Sequence, residues 1–67
     1  MIRLKITGMT CDHCEQAVHK ALAAVQGVER VMIVDREIEQ ALVEGRPDVG
    51  SLIAAVAAEG YQAEVAK

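Results

Sequence analysis

The chain has two cysteines, Cys11 and Cys14, three residues apart in Gly8-Met9-Thr10-Cys11-Asp12-His13-Cys14. Sulfur at this spacing has three uses. Two thiolates can hold one soft metal ion, a dithiol can exchange with a disulfide, or two small side chains can fill space. Counting ligands separates these uses. A structural zinc site takes four ligands, and the chain has no second cysteine pair. His13 and His19 complete the set only if both reach the same ion. His19, however, follows Cys14 by five residues, about 500° around a helix, so the two point to different faces. Two thiolates with nothing else suit an ion content with two or three ligands, and their softness selects Cu(I), with Ag(I) and Hg(II) accepted for the same reason. Disulfide exchange in thioredoxin-like folds uses Trp-Cys-Gly-Pro-Cys opposite a cis-proline. This chain has no Trp, and its single Pro is at position 47. Space filling asks for neither the spacing nor the polar Asp12-His13 between the sulfurs.

The elements around the cysteines follow from hydrophobic period. Ile2, Leu4 and Ile6 alternate with Arg3, Lys5 and Thr7, which predicts a half-buried strand running up to Gly8. Beyond it Val18, Ala21, Leu22 and Val25 recur at helical spacing, and Gly27 closes the helix. Asp12 with Glu15 three residues on comes close to a capping box, placing two acids at the positive end of the helix dipole. Cys14 then falls in the first turn and Cys11 in the preceding loop, where unpaired N–H groups and the dipole favour thiolate. A second strand is expected over residues 27–34, with Val28, Val31 and Ile33 facing inward. A third follows over residues 40–45 with Ala41 and Val43 inward. Pro47-Asp48 starts a second helix bearing Val49, Leu52, Ile53 and Val56, Gly60 stops it, and Tyr61 bends the chain into a closing strand over residues 61–67. The order β-α-β-β-α-β predicts an α+β, ferredoxin-like sandwich: a four-stranded antiparallel sheet with two helices on one face.

Composition limits the function classes. A chain of 67 residues is one domain near the lower size limit for a single apolar core. Its 52% hydrophobic content comes with one Tyr and no Phe or Trp, so the core is built of small aliphatic side chains and a large ligand cavity is not expected. Net charge is −3 with seven scattered basic residues, which sets nucleic acid aside as a partner. Arg3 and Lys5 interrupt the apolar start, so neither a signal peptide nor a membrane-inserting run is expected, and the reading is cytoplasmic.

The stretch Gly8 to Cys14 between first strand and first helix, with Gly27-Val28 after that helix and Gly60-Tyr61 before the last strand, resembles the heavy-metal-associated domain of copper chaperones and metal-transporting ATPases. The similarity covers about residues 2–65, and Met-Thr-Cys-x-x-Cys is far more specific than a bare Cys-x-x-Cys. The resemblance implies one such domain over residues 1–67, with Cys11 and Cys14 as metal ligands. It matches Met9 to the family methionine beneath the loop and Tyr61 to the aromatic residue beside the site in bacterial members. Read as residues, Met9 is core filler and Thr10 a loop hydroxyl bonding nearby backbone. Asp12 opens the helix. His13 faces solvent, where it tunes the thiolates or meets a partner, and His19 is a helix-surface residue. Tyr61 either flanks the site or only packs. One departure stands out. The family hairpin between strands 2 and 3 commonly turns on glycine, whereas residues 34–41 contain none and run about one residue longer, so a bulge or wider loop is expected around Ile38.

The resemblance implies a metal carrier, not an enzyme. Cu(I) held by Cys11 and Cys14 would pass by thiolate exchange to a Cys-x-x-Cys domain of a copper-exporting P-type ATPase or a copper-responsive regulator. A metal-bridged homodimer would use the same ligands. Two alternatives accompany it: the Hg(II)-capturing amino-terminal domain of mercuric reductase, and a metal-binding domain of a copper-transporting ATPase. His13 directly before the second cysteine is typical of the copper chaperones.

Overall fold

In the computed structural model, which describes residues 1–10 and 12–66, β1 (Ile2–Thr7) is a central strand. It is followed by α1 (Asp12–Ala23), β2 (Val28–Asp35), β3 (Gln40–Gly45), α2 (Val49–Ala58) and β4 (Gln62–Val65). The strands lie in the order β2-β3-β1-β4, and every neighbouring pair is antiparallel. This is the ferredoxin-like arrangement predicted from the period changes, with both helices packed on the sheet and on each other. Leu4 and Ile6 of β1, Val18 and Leu22 of α1, Ala41 and Val43 of β3, and Leu52 and Val56 of α2 close a core of small aliphatic side chains.

Alternation on β1 and β3 puts the expected side chains inward because those strands are regular and paired on both sides. Edge strand β2 departs from expectation. Its pairing with β3 slips between Val28 and Arg30 and again between Val31 and Ile33. Each slip inserts an unpaired residue and resets which side chains face the helices. Ile33, expected inward, is therefore 49% exposed, and Val34 packs against the core instead. α1 also ends earlier than Gly27. Its last helical residue is Ala23, and Val25 reaches the core from the turn that follows, its N–H bonded to Leu22 O at 3.1 Å.

At the far end of the molecule from the cysteine loop, Gly27 and Gly45 bring two backbones together. Gly45 has φ +127°, and a β-carbon there would overlap Gly27 O and stand 2.8 Å from Glu29 N. Arg46 N–H donates to Gly27 O at 3.0 Å, fastening the crossing main chain to main chain.

At the cysteine end the turn between β2 and β3, residues 36–39, contains no glycine, as expected. It is shaped by Asp35, whose Oδ1 accepts from Glu37 N at 2.8 Å and Ile38 N at 3.4 Å, an Asx turn. Glu39 takes the left-handed conformation at φ 55°, and its carbonyl accepts from Ile6 N at 2.8 Å. The bulge expected around Ile38 is not there: Val34 pairs with Ala41 and Asp35 with Gln40 in register up to the turn, both slips lie earlier in β2, and Ile38 projects from the turn, 58% exposed.

α2 begins at Asp48, whose carboxylate accepts from Ser51 N at 3.1 Å, an N-cap. It ends in a left-handed Gly60, φ 93°, with Gly60 N bonded to Ala57 O and Tyr61 N to Val56 O, a Schellman motif. That ending aims Tyr61 toward the cysteine loop.

Candidate metal centre

The loop leaves β1 at Thr7 and turns at Gly8, whose φ of 99° puts it in a conformation that side chains resist. Met9 then dives inward. It is 9% exposed and belongs to the core cluster, so its thioether packs under the loop. Thr10 is exposed, and its Oγ1 lies 3.7 Å from Cys14 Sγ, four residues on. The hydroxyl expected to bond backbone thus addresses sulfur instead, spanning the loop to the helix start. Cys14 occupies the first turn of α1 as expected; it is half-buried and rests against the core. Cys11, the other expected ligand, lies outside the described residues.

His13 is exposed on α1, in a depression with Gln16, Ala17, Ala21 and Glu59. His19 lines a different one, beside Asp12, Glu15 and Val34. The two histidines face apart, in keeping with the helical angle that separates Cys14 from His19. Tyr61 is half-buried on the core, and its Cδ1 lies 3.4 Å from where a β-carbon on Gly8 would stand, so it borders the loop.

The expected capping box is not what Asp12 and Glu15 make. Both carboxylates turn to Arg36 on the β2–β3 turn. Arg36 Nη1 donates to Asp12 Oδ1 and, at 3.1 Å, to Glu15 Oε1, while the Arg36 backbone N–H donates to Glu15 Oε2 at 2.7 Å. The hydrogen bond to Asp12, followed by the Asp12 charge, raises the Arg36 pKa above its ordinary value. Arg36 had no role in the sequence reading. It stands 24 and 21 residues from its partners, and no pattern along the chain links them. Only the fold, which brings the β2–β3 turn to the end where β1 gives way to α1, makes them neighbours.

A split βαβ sandwich with a thiol in the first helical turn, at the end of a loop pinned by a buried methionine, defines a small metal-binding domain. The chain belongs to the heavy-metal-associated domain family, which matches residues 3–62. It is 45% identical over 69 residues to a mercuric reductase of Serratia marcescens, covering 98% of this chain, and 40% identical over 62 residues to copper-transporting ATPase 1 of Rhizobium meliloti, covering 90%. It spans only 15% and 7% of the lengths of those two proteins. Among solved structures, oxidized MerP of Ralstonia metallidurans superposes with a TM-score of 0.89 at 35% identity, covering 98% of this chain and 94% of that one. The apo copper chaperone of Enterococcus hirae superposes with a TM-score of 0.87 at 28% identity, covering 98% and 100%. Relatives of both copper and mercury proteins mark this as a domain for soft heavy-metal ions. Among the described residues no helix is long and apolar enough to cross a membrane.

Proposed function

We propose that the chain is a cytoplasmic Cu(I) carrier that works as a single domain, with Cys11 and Cys14 as the ligands. The observation that carries this reading is the placement of Cys14, in the first turn of α1 beside Thr10 and against the core. There a thiolate has firm support on one side. Two sulfurs holding Cu(I) at low coordination leave room for an incoming thiolate. A thiolate of a second Cys-x-x-Cys domain adds to give a three-coordinate ion, one original sulfur leaves, and repetition moves the ion across without its being free. Tight holding and rapid delivery are then compatible. The receiving domain belongs to a copper-exporting P-type ATPase or a copper-responsive regulator. The similarity to the copper-transporting ATPase and to the Enterococcus hirae chaperone supports this, the latter matched along its whole length. A second copy of the chain offers the same ligands, so metal bridges a homodimer when the receiver is absent. Met9 supports the loop from below, Tyr61 borders it, and His13, beside Cys14 on the exposed face, meets the partner or tunes the sulfurs.

The second reading is Hg(II) capture for a mercuric reductase, favoured by the 45% identity to the Serratia enzyme over nearly all of this chain. Anaerobic titration of the reduced protein with Cu(I) and with Hg(II), against a strong competing chelator or glutathione, separates the two. Cu(I) retained at one ion per chain or per two chains, and lost in both Cys11→Ser and Cys14→Ser, supports the carrier. Cu(I) surrendered to glutathione while Hg(II) is kept supports mercury capture. Retention of either ion by both serine variants overturns the two-thiolate site.

A further inference from the structure

Arg36 is the one base among residues 35–40, surrounded in sequence by Asp35, Glu37 and Glu39. Its guanidinium reaches the two acids that adjoin the cysteines, Asp12 next to Cys11 and Glu15 next to Cys14. It is also held from several sides. The two carboxylate oxygens of Glu15 take the Arg36 backbone N–H and its Nη1, the Asp35 carboxylate shapes the turn, and Glu39 O ties the turn to β1 just before the loop. With the Arg36 side chain 34% exposed and Glu15 24%, this positive charge is fixed in place and partly sheltered from water.

A charge held there discriminates between ions. Two thiolates around a monovalent ion form a centre of charge −1, whereas two thiolates around a divalent ion form a neutral one. A nearby positive charge stabilises the first and leaves the second almost unaffected. Arg36 offsets one of the two negative charges of Asp12 and Glu15; without it the pair repels a negative centre more strongly. Resting on the reading that Cys11 and Cys14 hold the ion, we propose that Arg36 is a selectivity residue favouring monovalent over divalent soft ions. Near a protein surface, one unit of charge alters the preference roughly two- to fivefold at low salt.

The test compares Ag(I) with Hg(II), two closed-shell ions content with two sulfurs, by competition titration at one pH in chloride-free buffer of low ionic strength. Because the same metal-free protein is the reference for both, the ratio of affinities cancels the protons its thiols carry. Arg36→Gln is expected to lower the Ag(I)/Hg(II) ratio roughly two- to fivefold, Arg36→Glu to lower it further, and Arg36→Lys to keep it near wild type. Asp12→Asn removes a charge of opposite sign at an exposed position and is expected to raise the ratio, a direction that loosened structure does not produce. Added salt should compress all these differences. A ratio unchanged in the Gln, Glu and Asn variants, or both ions weakened equally, overturns the inference while the two-thiolate site stands. A wild-type chain that binds neither ion removes the site and the inference together.

Discussion

Gly8 and Tyr61 face each other across the loop entrance, with Tyr61 Cδ1 3.4 Å from the point a β-carbon on Gly8 would occupy. The contact joins the α2–β4 bend to the loop that precedes Cys14. Tyr61 is also the one aromatic residue of the chain, so its emission reports on that loop without interference. Titrating the reduced protein with Hg(II) should change tyrosine fluorescence to an end point at one ion per chain or per two chains. Cys14→Ser should abolish the change, and a fluorescence response surviving in that variant would place the ion elsewhere.

Gly45 and Gly60 both have positive φ but meet different surroundings. Nothing lies within 4 Å of a β-carbon on Gly60, so Gly60→Ala carries backbone strain alone, about 1 kcal/mol. Gly45→Ala must in addition push apart the backbone at Gly27 and Glu29, and should cost well above about 3 kcal/mol. Urea unfolding of the two variants side by side checks the order. Equal midpoints would mean that the close approach carries no weight.

Removing the Asp48 cap leaves Ser51 N without its side-chain acceptor at the start of α2. Asp48→Ala should lower stability by about 1 kcal/mol, and Asp48→Asn by less, since asparagine caps comparably. Chemical denaturation gives both values. The affinity for Hg(II) should not move in either variant, because the cap lies at the Gly27–Gly45 end of the molecule.

Leu22 is fully buried between α1 and the sheet. Leu22→Ala should cost about 2–5 kcal/mol, comparable with the whole stability a core of this size supplies. The metal-free variant should therefore be largely unfolded by circular dichroism. Hg(II) at a hundredfold excess over its dissociation constant should restore about 2.7 kcal/mol, and with it helical signal. A variant that folds equally well with and without metal would show that binding is not coupled to the fold.

The elements were legible in the sequence because their periods are clean. Ile2, Leu4 and Ile6 alternate, Val18 and Leu22 share a helical face, and Asp48 and Gly60 punctuate α2 as their chemistry requires. The place of Cys14 in the first turn of α1 was legible because the change from strand to helical period is local. Ile33 misled because a bulge is a property of two paired strands, and nothing in one strand's alternation announces where its partner will slip. Asp12 and Glu15 misled for a related reason. A capping box is a local device, and it lost to a guanidinium arriving from the β2–β3 turn, where each carboxylate meets a full positive charge and not only the partial charge of a backbone N–H. Arg36 itself was invisible until the topology placed it.

The crossing of Gly27 and Gly45 gives the molecule two ends under different rules. Where the two backbones cross there is no room for a β-carbon on Gly45, so a substitution at that point falls on the main chain that holds the sandwich together. At the other end the contacts are made largely by replaceable side-chain atoms: Arg36 with Asp12 and Glu15, and Thr10 with Cys14. Solved relatives superpose on this frame, and the surface where a substitution can be survived is where sequences sharing it have room to differ.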